Sequence, residues 1–190
     1  MTRWWWVRHG PTHAKAAIGW TDLPADLSDT VKLARLRAAL PADAPVISSD
    51  LIRAKATADA LDRERLPDTS ALREMHYGDW EGLGFDEIAT RWPDLSHAFW
   101  TTPGAPATPN GESWDGFSAR VVAEIDRLNG QHRDIIAVAH MGVILAALAH
   151  ATGLSPDRAL AFEVANLSMT RLDYLPEPGV WRVGGVNLQL

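Results

Sequence analysis

Short apolar runs alternate with helical patterns along most of this chain. Trp4 to Val7 is an apolar run that stops at Arg8-His9-Gly10-Pro11-Thr12, where Gly and Pro punctuate, which predicts a buried strand feeding a loop. Thr30 to Leu40 carries Val31, Leu33, Ala34, Leu36, Ala38 and Leu40 at helical spacing and is stopped by Pro41. Pro45 to Ser49 predicts a second strand, leading into an Ala-rich helix from about Ile52 to Leu61 with Arg53 in its first turn. Ile135 to Ala139 predicts a third strand, followed by a helix from about Val143 to Ala151. Met169 to Leu172 and Val180 to Val183 predict late strands, separated by the turn Pro176-Glu177-Pro178-Gly179. Strands alternating with helices indicate an α/β domain around a mostly parallel sheet.

The middle of the chain breaks that rhythm. Arg73 to Trp114 holds Trp80, Phe85, Trp92, Phe99, Trp100 and Trp114, and its later part is the Pro/Gly-rich stretch Thr101 to Gly111. A long loop of this kind in a compact domain is often a lid or binding loop, so a lid-like insertion is expected around residues 73–114. A helix then follows from Ser113, with Phe117, Val121, Val122, Ile125 and Leu128 on one face.

Composition narrows the possibilities. The 190 residues suit one domain, and 46% hydrophobic with 22% charged residues is ordinary for a globular chain. No cysteine is present, which excludes disulfide scaffolds, thiolate catalysis and Cys-ligated metals. The formal net charge of −6 gives no broad positive field for nucleic acid, so no nucleic-acid partner is expected. The N-terminal apolar run is too short for a signal peptide. The stretch from Ile135 to Gly153 contains His140 and His150 and reads as a buried strand running into a buried helix, so no membrane span is expected. A cytoplasmic location is the expectation.

Candidate chemistry gathers at strand ends. His9 follows the first strand, His140 the third, and Arg53 the second, with Arg8 beside His9. Ligands of open α/β sheets bind outside the carboxyl ends of parallel strands. Two imidazoles and two guanidinium groups brought to that edge would suit an oxyanion, because guanidinium matches phosphate oxygens in a planar, bidentate way. Taken singly, each of these residues reads as an ordinary surface or packing residue, and periodicity alone does not make the strands neighbours. His13 might join His9 at a metal, but the intervening Gly10-Pro11-Thr12 lacks the Glu and helical spacing of a zincin site. There is no Walker loop and no dinucleotide fingerprint.

Several blocks together resemble a known family. Arg8-His9-Gly10, the segment Gly19-Trp20-Thr21-Asp22, the run Ser48 to Ala58 around Arg53, the run Leu72 to Gly82 around Glu74, and Ala137 to Ile144 around His140 stand in the order of the histidine phosphatase superfamily, the phosphoglycerate-mutase-like proteins. The resemblance implies a single three-layer domain over residues 1–190 with a mostly parallel central sheet and helices on both faces. By position it implies His9 as nucleophile and phosphohistidine carrier. Arg8, Arg53 and His140 would hold the phosphoryl oxygens, Glu74 would protonate the leaving oxygen, and Lys15, Gly19 and Trp20 would border the substrate. Asp79 and Glu81 remain alternative acids. No metal and no cofactor are implied. The partner would be a small phosphorylated metabolite or inorganic phosphate, with a homodimer left open.

The sequence also departs from the family pattern. Lys15 stands where many members carry Asn, Thr30 falls near a usual Gly, Met141 replaces a Gly after the second histidine, and Leu145 stands where Arg is common. A phosphomonoester hydrolase is the leading expectation. A phosphoglycerate-type mutase, an α-ribazole phosphatase-like specificity and a phosphate-binding module without turnover are the alternatives.

Overall fold

The computed structural model describes all residues 1–190. Five strands form one sheet: β1 (Thr2–Arg8), β2 (Val46–Ser48), β3 (Asp134–Ala139), β4 (Met169–Leu175) and β5 (Val180–Leu188), in the order β2-β3-β1-β4-β5. β3 runs parallel to both β1 and β2, while β4 is antiparallel to its neighbours β1 and β5. All strands except β4 therefore point the same way, and the mostly parallel α/β sheet expected from the sequence is present.

Alternation along the strands builds a core on each face. Trp4 and Trp6 point to one side, fully buried and stacked with ring centroids 5.1 Å apart. Ile135, Ala137 and Ala139 share that side and meet the apolar stripe of α5 (Trp114–Leu128) and the buried run Val143–Leu148 of α6 (Met141–Thr152). Val7, Ile136 and Val138 point to the other side. They meet Leu33 and Leu36 of α1 (Thr30–Ala39) and Ala54 and Ala58 of α2 (Ile52–Ala60). A strand with both faces covered reads as continuous hydrophobicity, which is why these runs carry almost no polar residue. The result is a three-layer sandwich.

Caps set the helix ends. The Asp29 carboxylate accepts from the Lys32 N–H at 2.9 Å to start α1, and the Ser113 hydroxyl accepts from Gly116 N–H at 3.1 Å to start α5. Gly153, at φ +69°, closes α6 in the left-handed conformation that glycine adopts without strain.

One boundary is corrected here. The sixth helix starts at Met141, directly after His140 as its N-cap, and not near Val143. The Pro/Gly-rich stretch is a loop beyond Thr101, as expected. A 3₁₀ turn at Ser70–Leu72 precedes the middle segment, which holds another at Gly78–Trp80, then α3 (Phe85–Arg91) and α4 (Pro93–Thr101). Each short helix is too brief for periodicity to stand out, and tertiary burial holds it in place. Ile88 and Phe99 sit with Trp80 and Trp114 in the core that also contains Trp4 and Trp6. A further short helix, α7 (Pro156–Ala159), leads toward β4.

Candidate active site

Strand register brings the two histidines together. Parallel pairing of β1 with β3 sets Arg8 opposite Ala139, so the next residues of the two strands, His9 and His140, leave the sheet side by side. The His9 N–H donates to Ala139 O at 3.0 Å, and the ring centroids lie 5.0 Å apart, edge to face. The convergence that the sequence left open thus follows from strand order.

His9 is oriented on both ring nitrogens. Nδ1 lies 2.6 Å from the Gly10 carbonyl, which only accepts, so Nδ1 carries the proton and Nε2 keeps its lone pair. Arg53 Nε–H points at that lone pair from 3.3 Å. Asn166 Nδ2 donates to the His9 carbonyl at 2.8 Å, and Thr57 Oγ1 accepts from Gly10 N–H at 3.0 Å, fixing the backbone on either side. Burial pushes the His9 pKa down to about 3, with Arg53 and Arg8 adding to the fall and the Gly10 carbonyl opposing it. The imidazole is therefore neutral across the physiological range, and burial contributes more than the arginines that the sequence pointed to.

Arg53, on the first turn of α2, is buried to 1% exposure. Its NH2 donates to Gly19 O at 2.7 Å and its NH1 to Thr21 O at 2.9 Å, which locks the guanidinium plane. Arg8 NH1 donates to Val164 O at 2.6 Å. Arg8 Nε and both ring nitrogens of His140 are buried without a protein hydrogen-bond partner. Unpaired buried polar groups of this kind are rare and collect at functional sites. His140 is held well below the ordinary imidazole pKa by burial, and the neighbouring His9 and Arg53 act in the same direction.

Glu74 faces them from the middle segment. Its Oε2 accepts from Gly142 N–H at 3.1 Å, at the start of α6, and Oε1 accepts from Met75 N–H at 3.0 Å. Burial raises its pKa, outweighing those two N–H groups and the lesser pull of Arg53 and Arg8. Gly142 leaves room for this placement of the carboxyl group, because a Cβ there would run into Glu74 Oε1 and displace it. Arg8, His9, Arg53 and Glu74 line one cavity of about 200 Å³. His140 packs against His9 without lining that cavity.

The remaining expected residues fall outside the cavity wall. Lys15 is exposed and does not line it. Gly19 and Trp20 do not line this cavity: Gly19 gives its carbonyl to Arg53, and Trp20 Nε1–H donates to the Glu74 carbonyl at 2.8 Å. A side chain at Gly19 would collide with the Met75 carbonyl. His13 turns away to pair with Asp26 at 2.8 Å.

The alternative acids are also committed elsewhere. Asp79 is exposed and accepts from Asn110. Glu81 accepts from the backbone N–H groups of Gly19, Trp20, Thr21 and Tyr77 and from the Thr21 hydroxyl, which fixes the loop that aims Arg53. Arg120 gathers the Ala71, Arg73 and Glu74 carbonyls at 2.8–2.9 Å and so holds the segment that carries Glu74. Asn166 and Arg120 had no signal in the sequence, since their partners are distant in the chain, and Thr57 stood in the run around Arg53 without a role of its own. Glu81 was visible only as a candidate acid.

This arrangement matches known proteins. The family model of the histidine phosphatase superfamily (branch 1) matches residues 4–188. The chain belongs to that superfamily. It is 33% identical over 153 residues to the adenosylcobalamin/alpha-ribazole phosphatase of Salmonella typhimurium, covering 75% of each chain. It is 34% identical over 168 residues to the glucosyl-3-phosphoglycerate phosphatase of Mycolicibacterium vanbaalenii, covering 80% of this chain and 74% of that one. Among solved structures, a mycobacterial glucosyl-3-phosphoglycerate phosphatase superposes with a TM-score of 0.85 at 26% identity, covering 99% of both chains. This superfamily member is an enzyme of the phosphatase class. No helix of it is long and apolar enough to cross a membrane.

Proposed function

We propose that the protein hydrolyses a small phosphomonoester through a phosphohistidine on His9. One observation carries the reading. A neutral, buried imidazole lines a cavity together with Arg8, Arg53 and a carboxyl group whose pKa is raised, and its Nε2 is unprotonated.

His9 Nε2 attacks phosphorus while the ester P–O bond breaks and the leaving oxygen takes the Glu74 proton, releasing an alcohol. Water then attacks the phosphorus, the P–N bond breaks, and the Glu74 carboxylate takes the proton of the water. Inorganic phosphate leaves and His9 returns to its neutral form. Phosphoryl transfer spreads charge over three equatorial oxygens, and fixed cations stabilise that charge without reorganising. Arg8 and Arg53 supply donors from the cavity wall, and the neutral His140, beside His9, has one N–H to add.

The segment 73–114 supplies Glu74 together with Phe85 and Trp100, and its role is that of a lid over the leaving group. Lys15 is assigned no contact with the phosphoryl group. A cytoplasmic location suits a small phosphorylated metabolite, and cell fractionation checks it. Sedimentation checks whether a homodimer forms.

The test is rapid acid-free quenching after mixing with a labelled phosphomonoester. An alkali-stable, acid-labile phosphoenzyme in the wild type, absent in His9→Ala, supports the reading. Steady release of phosphate without any labelled protein overturns it. Phosphate binding with no turnover of any ester would leave only a binding module.

A further inference from the structure

A second cavity, of about 460 Å³, opens from the first across Glu74, Tyr77, Phe85 and Met141, which line both. Half of the remaining wall is aromatic, namely Phe99, Trp100, Trp114 and Phe117. Glu74 is the only charged residue on it. The two compartments therefore differ in kind. One side of Glu74 holds two guanidinium groups, and the other offers ring faces and no cation.

Three of these apolar side chains are not used by the core. Phe85 is 55% exposed, Trp100 41% and Met141 38%. Phe85 and Trp100 meet edge to face at 6.0 Å, and Trp100 meets Phe99 edge to face at 4.8 Å, so each pair holds its partner's orientation while leaving apolar surface open. A pocket of this size and lining has the proportions of a small-molecule site. Its position, next to the acid that protonates the leaving oxygen, makes it the compartment for the leaving group.

We propose that the leaving group is an uncharged, ring-bearing alcohol whose ring system stacks among Phe85, Trp100 and Trp114. This rests on the phosphomonoesterase reading above and specifies its substrate class. An anionic leaving group such as glycerate finds no counter-charge in this compartment, so desolvating it is uncompensated. That chemistry sets this chain against a mutase acting on phosphoglycerates. A reaction that phosphorylates, or assembles in phosphorylated form, an aromatic alcohol must precede it.

Esters with matched aliphatic leaving oxygens separate ring recognition from leaving-group reactivity. With 2-(1-naphthyl)ethyl phosphate, ethyl phosphate and 3-phosphoglycerate, kcat/KM for the naphthyl ester is expected to exceed the other two at least tenfold. In Trp100→Ala, the naphthyl-to-ethyl ratio is expected to fall at least threefold through KM, and Trp100 is exposed enough for its removal to leave the fold intact. Equal kcat/KM for the three esters, a preference for 3-phosphoglycerate, or an unchanged ratio in the variant overturns the proposal while phosphatase activity stands. Should no ester be hydrolysed, the hydrolase reading falls, and the pocket is judged by binding of 2-(1-naphthyl)ethanol. Quenching of tryptophan fluorescence that is lost in Trp100→Ala upholds it, and the absence of binding overturns it.

Discussion

Arg53 Nε lies 3.3 Å from His9 Nε2 and donates to it. The guanidinium, proposed to hold phosphoryl oxygens, thereby also marks where the His9 lone pair points. Its own direction is set from behind, by the Gly19 and Thr21 carbonyls, and those are set by Glu81. A chain of backbone bonds therefore links a carboxylate outside the cavity to the proposed nucleophile.

Glu81→Ala is expected to reduce kcat/KM by about ten- to a hundredfold, of the order seen when a positioning contact is lost. It should also weaken inhibition by inorganic phosphate, since Arg53 loses its orientation. The same change leaves several backbone N–H groups unpaired, for which a stability loss of about 1–3 kcal/mol is expected. Phosphate inhibition constants and urea midpoints read the two effects separately, and an unchanged phosphate affinity would remove Glu81 from the positioning role.

Glu74→Gln is expected to slow esters with poor leaving groups by about 10²–10⁴, and nitrophenyl phosphate much less, because that leaving oxygen needs little protonation. Equal slowing of both would show that Glu74 does not act as the acid. Its raised pKa also sets the alkaline limb of wild-type activity: kcat falls as rising pH removes the proton, and the variant should lack that limb.

The buried imidazoles make stability depend on pH with a defined sign. His9 is lowered from 6.5 to about 3 in the folded chain, so between those values the unfolded chain binds the extra proton. Stability is therefore full above pH 6.5 and lost as pH falls toward 3, by at most about 1.4 kcal/mol per pH unit from this residue. His140 acts in the same direction. Glu74, with its raised pKa, acts in the opposite direction, so the His9 contribution is read as the difference between wild type and His9→Asn in urea unfolding at pH 7 and pH 5. The wild type should lose more stability than the variant on acidification, and an equal change in both would contradict the assignment.

Gly142→Ala places a methyl group against Glu74 Oε1 and close to the Phe117 ring. The expected outcome is a stability loss of about 1–3 kcal/mol from overpacking, with kcat reduced because the carboxyl group is pushed off the leaving oxygen. Full activity with an unchanged melting temperature would show that Glu74 can shift freely.

Much of this molecule was legible along the chain. The strands around Trp4–Val7, Ile47 and Ile135–Ala139 announced themselves because burial on both faces demands unbroken hydrophobicity. The helix from Ser113 was legible in its apolar stripe. Arg8, His9, Arg53, Glu74 and His140 were visible because each stands in a recognisable local block.

What the chain alone did not contain is the order of the strands. Insertion of β3 between β1 and β2 puts His140 beside His9, and that is decided by non-local packing of α1 and α2 on one face and α5 and α6 on the other. The supporting shell was hidden for the same reason. Glu81, Arg120 and Asn166 act on partners 46 to 157 residues away or through loop backbone, and such contacts leave no period or spacing in a sequence. The central aromatics show the limit most sharply. Their number was plain, but only folding divided them into those that fill the core, such as Trp80, and those left facing a cavity, such as Trp100. Local pattern reports the burial that a residue tolerates, whereas which neighbour it meets is fixed when the sheet closes.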